Sequence, residues 1–272
     1  MIYGFMRRRA LRFFAAMALS ACTAALTAGG AAGQFSGGGR PTGPPLAPKA
    51  AALIDTTGYW VSIVDEDWRW RMITPPKGDY SSIPLNAEGR KVADTWDPLK
   101  DEGEGNQCKA YGAAGIMRVP TRLHITWTDD NTLKIETDAG MQTRLLHFDG
   151  SKWQGGDPEW QGESVASWER QRQSRGFAPQ FGPPKPGSGG TVKVVTTHMK
   201  PGYYRKNGVP YSANARMTEY FDRVEDDDGT SYLILTTVVE DPQYLTDRFI
   251  TSEQFKLEPN AYKWNPQPCK VK

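Results

Sequence analysis

Apolar and polar positions alternate along most of this chain. The alternation runs through Tyr59–Val64, Trp68–Ile73, Thr121–Thr128, Thr132–Thr137, Met141–Phe148, Ser164–Trp168, Val192–Met199, Arg216–Val224, Tyr232–Glu240 and Phe249–Leu257. A period of two is the signature of a β-strand with one covered face, because successive side chains point to opposite sides. One stretch reads instead as a helix: Asn86 is a good N-cap, Glu88 sits in the first turn, and Asp97-Pro98 stops the run near Trp96. Many short strands joined by turn-rich links predict a mostly β chain. The expected fold is an antiparallel β-barrel or β-sandwich with one short helix, rather than a parallel α/β sheet.

Part of the sheet can be registered residue by residue. With Asp129-Asp130-Asn131 as a three-residue hairpin loop, Trp127 opposes Leu133, Ile125 opposes Ile135 and His124 opposes Glu136. With Asp138-Ala139-Gly140 closing the next hairpin in the same way, Gly140 takes a positive φ, Ile135 opposes Thr143 and Lys134 opposes Arg144. One face then carries Leu123, Ile125, Trp127, Leu133, Ile135, Leu145 and His147. The other carries His124, Thr126, Lys134, Glu136, Gln142 and Arg144. The apolar face must be covered by a packed core or by an apolar ligand.

The N-terminal segment does not belong to this pattern. Arg7-Arg8-Arg9 and Arg12 precede an uncharged run from Phe13 to Gly33, the layout of a bacterial export signal. Ala31-Ala32-Gly33 offers a signal-peptidase exit, whereas Leu19-Ser20-Ala21-Cys22 offers a lipobox that would leave Cys22 lipidated. Arg8-Arg9-Ala10-Leu11 partly matches a twin-arginine motif, but Arg12 at its second apolar position favours an arginine-rich general export signal. The expected organisation is a signal peptide over 1–33, a flexible linker over 34–52, and a single β domain over 53–272 with a long Pro/Gly-rich loop at 170–190. The expected location is periplasmic or secreted. Cys108 and Cys269 are the two cysteines beyond the signal, and an oxidising compartment favours a disulfide between them over two separate thiols.

Charge and motifs narrow the chemistry. The 33 basic and 31 acidic residues are interspersed and leave a formal charge of +2, so no basic stripe argues for nucleic acid. After the signal no apolar run reaches the length of a membrane-spanning helix. No P-loop, dinucleotide fingerprint or nucleophile elbow is present, and no cofactor is expected. His124, His147 and His198 lie far apart without metal-ligand spacing, so no metal site is expected either.

Three residues are candidate catalysts. His124 beside Glu136 forms an acid–base pair, and Glu219 shares a strand face with Met217 and Phe221, where burial would raise its pKa. A solvated ion pair and a surface charge are the competing readings. The candidate ligand-binding residues are Trp68, Trp70, Arg71, Trp127, Arg144 and Tyr211. In a strand, Trp68 and Trp70 would share one face and Arg69 and Arg71 the other, giving an aromatic floor and a guanidinium to orient a polar end. Core packing explains the same aromatics.

Gly58-Tyr59-Trp60 at the start of the first strand resembles the G-x-W opening of lipocalin-like barrels. A broader resemblance runs from Cys108 onward, through Gly112, Met117 and Pro120. It continues through Trp160-Gln161-Gly162-Glu163-Ser164, Trp168-Glu169, Gly208-Val209-Pro210-Tyr211-Ser212, Thr218-Glu219-Tyr220-Phe221 and Glu240-Asp241-Pro242 to Thr246. This order is similar to a large group of exported bacterial proteins without an assigned activity. Tyr211 stands where that group usually has histidine. The resemblance implies an exported domain and no particular reaction. Three functions are therefore expected: a barrel binding a small, largely apolar or aromatic ligand, a cofactor-independent isomerase or hydrolase-like enzyme, or a structural accessory protein of the envelope.

Overall fold

The structure is a computed structural model that describes residues 44–148, 150, 156–170, 187 and 189–271. The export segment with Cys22, most of the linker and most of the Pro/Gly-rich loop lie outside the described residues.

The strands are β1 (Gly58–Ile63), β2 (Arg122–Trp127), β3 (Thr132–Thr137), β4 (Ala139–Gly140), β5 (Thr143–His147), β6 (Glu163–Glu169), β7 (Thr191–Thr197), β8 (Gly202–Arg205), β9 (Val209–Tyr211), β10 (Arg216–Glu225), β11 (Ser231–Glu240), β12 (Phe249–Glu258) and β13 (Gln267–Pro268). Nine of them close a barrel in the order β1-β12-β11-β10-β7-β6-β5-β3-β2, with β2 returning to β1. The pairs are antiparallel except β5–β6, which run parallel and pair at Leu146–Ser164 and His147–Val165. Closure leaves no open sheet edge. Of the two architectures expected, the barrel is the one formed.

The inward positions fill the barrel. Trp60, Leu123, Ile125, Leu133, Ile135, Leu146, Val194, Phe221, Leu235 and Phe255 are buried and pack as one cluster. Barrels of this strand number are just wide enough for side chains to occupy the interior. The indole of Trp60 satisfies its N–H by donating to the Thr56 carbonyl at 2.9 Å.

Long connections build a cap over one end, where β1 ends and β2, β10 and β12 begin. It contains the short helices α1 (Trp68–Arg71), α2 (Ala87–Ala93), α3 (Pro98–Gly103) and α4 (Ala113–Ile116), a 3-10 turn at Gln107–Tyr111, and the β8–β9 hairpin. A second apolar cluster, including Ile83, Leu85, Tyr204, Val209, Tyr211, Met217, Leu245 and Phe249, joins the cap to the strand ends. The expected helix is present. The Asn86 side chain caps it by accepting from Gly89 N at 2.8 Å, and Asp97 with Pro98 starts the next. Sequence periodicity showed one helix because the others span one or two turns.

Two local expectations are corrected. Trp68–Arg71 is a single helical turn, entered from Asp67 in the left-handed region at φ 50. In a helix Trp68 and Trp70 no longer share a face: Trp68 is 61% exposed and Trp70 turns toward the cap. The β2–β3 register is as expected, with His124 opposite Glu136. The next is shifted by one, so that Ile135 opposes Arg144 and Lys134 opposes Leu145. Its loop holds four residues, closed by Thr137 N donating to Gln142 O at 2.9 Å. Gly140 (φ 75) and Met141 (φ 51) both take positive φ. Because side chains alternate, one extra residue turns the whole strand over. Leu145 goes to solvent, and Arg144 goes into the barrel.

Disulfide-bonded Cys108 and Cys269 lie 161 residues apart in sequence. The bond holds the C-terminal tail against the cap, where β13 pairs with β4 and Gln267 N donates to Asp138 O at 2.7 Å.

Candidate functional site

A cleft of ≈ 370 Å³ opens where the cap, the β3–β5 turn and the tail meet. Trp70 and Met72 of the α1 segment, Tyr111 of the 3-10 turn, Val119-Pro120 ahead of β2 and Tyr204 of β8 supply its apolar wall. Five of its lining side chains are basic, Arg71, Arg118, Arg205, Lys206 and Lys270, and among the described residues none of the lining is acidic. Its size lies within the range of small-molecule sites, about 300–1,000 Å³.

The three arginines differ in how they are held. Arg118 donates from Nη1 to Glu253 Oε1 at 3.2 Å and from Nη2 to Asp67 Oδ2 at 2.7 Å. Arg71 donates from Nε to the Arg118 carbonyl at 3.0 Å, from Nη1 to Glu66 O at 3.4 Å and from Nη2 to Ser62 Oγ at 3.3 Å. Burial pushes Arg71 below its ordinary range, with the Glu253 carboxylate opposing and the Arg118 charge adding to the shift. Glu253 itself is raised by burial, against the pull of Arg118, the Thr251 hydroxyl and Arg71. Arg205 is 7% exposed and donates from Nη2 to the Ser81 carbonyl at 2.8 Å. Its Nε and Nη1, both buried, have no hydrogen-bond partner among the described residues.

A different polar cluster occupies the barrel interior. Arg144, turned inward by the four-residue loop, meets Glu219 from β10 in a bidentate pair, with Nη1 to Oε1 at 3.0 Å and Nη2 to Oε2. Its Nε donates to Ser164 Oγ at 2.9 Å and Nη2 also to Thr196 Oγ1 at 2.6 Å, and those two hydroxyls are 2.9 Å apart. Glu219 is completely buried, and each of its carboxylate oxygens accepts from Arg144. A buried bidentate pair of this kind holds both side chains in one geometry.

His124 and Glu136 meet on the outer wall, Nδ1 to Oε2 at 3.1 Å, with the Lys134 ammonium 2.9 Å from the same oxygen. Tyr59 stacks on the imidazole at 4.1 Å between ring centres and Trp264 approaches edge-on. Burial alone would raise Glu136, but hydrogen bonds and charge from Lys134 and then His124 hold it below the ordinary carboxylate range. A carboxylate so stabilised is a weak base.

The structure therefore brings Trp70 and Arg71 together in the cleft and separates the other candidates. Trp68 is exposed outside it. Trp127 packs on Phe148 at 5.3 Å, which packs on Trp168. Tyr211 is buried in the cap with its hydroxyl wedged between Gly112 and Gly202. Glu219 lies inside the barrel and the His124–Glu136 pair outside it, so the three candidate catalysts share no site. Arg144 and His147 border a second concavity of ≈ 550 Å³ beside the parallel β5–β6 pair, together with Glu163 and His198. Gly156, Asp157 and Pro158 also line it.

No family model, no curated protein and no solved structure matches the chain. Arg118, Arg205, Tyr204, Lys206 and Lys270 of the cleft were not singled out by their sequence pattern. The clustering of Tyr204, Arg205 and Lys206 beside a glycine-closed hairpin was the available signal.

Proposed function

We propose that this chain is an exported, lipocalin-like barrel protein of the periplasm or exterior that binds a small, largely apolar molecule. Its site is the cleft beneath the cap rather than the barrel interior, which side chains already fill. The observation that carries this reading is the cleft itself, with an aromatic and aliphatic wall facing polar groups that can orient one end of a guest. The arginine-rich leader and the disulfide support an oxidising location.

The test is a fluorescence titration of the mature, oxidised protein with N-phenyl-1-naphthylamine, an uncharged apolar fluorophore. Saturable binding near one equivalent is expected, quenching Trp70. Thr74→Trp, which fills the cleft from its rim, should weaken binding by about tenfold or more. Absence of saturable binding, or binding indifferent to Thr74→Trp, would remove the cleft as the site.

A further inference from the structure

Resting on the cleft as the ligand site, the geometry points to the chemistry of the ligand's polar end. It is an oxyanion, a carboxylate or a phosphate, held by Arg205 with Arg118, Arg71, Lys206 and Lys270 around it.

Three observations support this independently of the apolar wall. A guanidinium carries five N–H donors, one on Nε and two on each terminal nitrogen. Of these, the one on Nε and the two on Nη1 of Arg205 lack an acceptor among the described residues, and both nitrogens are themselves buried in the free protein. Buried donors without acceptors are rare in folded chains, and each calls for a partner. The lining is also one-sided in charge, with five basic side chains and, among the described residues, no carboxylate. Glu253 and Asp67 are spent on Arg118 from behind, and Asp79 bonds the exposed Arg69 and the Trp70 indole. Among the described residues no carboxylate is bonded to Arg205. Finally, burial and then the Arg118 charge push Arg205 down to about 10, opposed by Asp79 and Asp67. An arriving anion would relieve both effects at once.

The apolar wall and the anion anchor lie on the same cleft, which defines an amphipathic guest. Trp70 contacts both regions, since the Arg205 guanidinium sits 5.8 Å from its ring centre. Ring and aliphatic contacts would carry the body, and Arg205 the charged head. An oxyanion can accept several N–H groups at once, which an alcohol or amide cannot do as strongly.

The experiment compares octanoate, octyl phosphate and octanol by calorimetry on the mature, oxidised protein. At least one of the two anions should bind about tenfold or more tightly than octanol, the size expected from hydrogen bonds to a charged group. The better of the two identifies the head group. Arg205→Met should erase that preference while leaving octanol within about twofold, and Arg205→Lys should keep part of it. Arg216→Gln, which removes an exposed pair with Glu240 on the barrel surface, should change nothing. A second reading needs no ligand: Arg205→Met should raise the unfolding midpoint of the free protein by about 2–4 °C, because an unpaired buried charge is removed. Equal binding of octanol and the anions would overturn the oxyanion head while sparing the cleft. Anion preference that survives Arg205→Met would place the head elsewhere and sink the assignment. A lower midpoint in Arg205→Met would make Arg205 a structural strut and also count against it. Failure of all three probes together with N-phenyl-1-naphthylamine would overturn the cleft as well.

Discussion

Two buried arginines of this molecule, Arg144 and Arg205, are partnered in opposite ways. Arg144 in the barrel meets a carboxylate on Nη1 and Nη2, the Ser164 hydroxyl on Nε and the Thr196 hydroxyl on Nη2 as well. Arg205 beneath the cap is almost as buried, yet bonds one carbonyl. Both sit in short strands, so residue type does not separate them. What separates them is whether the fold supplies the counter-ion. A guanidinium whose partners are all internal stabilises one arrangement of strands, and its loss is felt in folding. A guanidinium left with spare donors at the wall of a cleft costs stability, and something outside the chain must satisfy it.

The sharpest way to break this contrast is to remove one side of the barrel pair. Glu219→Ala leaves Arg144 charged and buried with two hydroxyls for company, and should lower stability by about 3–5 kcal/mol in urea unfolding. Replacing both partners, Arg144→Met with Glu219→Met, should restore much of that loss, since two apolar chains need no mutual neutralisation. If Glu219→Ala costs less than about 1 kcal/mol, the interior pair is not the structural element described here, and its contrast with Arg205 collapses.

The same contrast shows why some of the molecule was legible in sequence and some was not. The β2–β3 hairpin was readable because its loop sets its own register: Asn131 N donates to Asp129 Oδ1 at 2.7 Å, a local turn interaction. The β3–β5 turn was misread by one residue because distant groups shape it. Tyr111 lies so close to Gly140 that an added Cβ would stand 2.3 Å from the ring, and β13 pairs along Ala139-Gly140. That single residue moved Arg144 from the outer face to the interior, opposite Glu219. The Trp-Arg alternation at Trp68–Arg71 fits a strand or one helical turn equally well over four positions, and Asp67 decided it by turning the chain. Arg205 was invisible because its burial comes from Trp70 and the Ser81 carbonyl, more than a hundred residues upstream in the cap.

Breaking the disulfide should separate the two regions. Replacing Cys108 and Cys269 by serine reopens a closure of 161 residues, for which chain entropy gives about 5 kcal/mol and measured losses run about 2–5 kcal/mol. The tail it holds carries Gln267, Pro268 and Lys270 of the cleft. The serine pair should therefore weaken N-phenyl-1-naphthylamine binding severalfold under conditions where the protein remains folded. Amide protection along β5, β7 and β10, around Arg144, should persist under those same conditions. Unchanged affinity in the serine pair would show that the tail does not build the cleft.

A partly solvated pair supplies the low end of the scale. Glu136, held below the ordinary carboxylate range by Lys134 and His124, has side-chain exposure of 31%. Its folded value is depressed, so its contribution is present above the ordinary value near 4.5 and is lost as pH falls through the folded value. Glu253 acts with the opposite sign: raised by burial, it destabilises increasingly as pH rises from 4.5 through its folded value. Glu136→Gln should cost less than about 1 kcal/mol at pH 7, reduced further by salt, and the difference from the parent should be smaller at pH 3. Urea unfolding at the two pH values measures it. A cost as large as that of Glu219→Ala, or one undiminished in acid, would mean that this outer pair is locked by its partners as firmly as Arg144 is. Burial would then no longer be what ranks the ion pairs of this barrel.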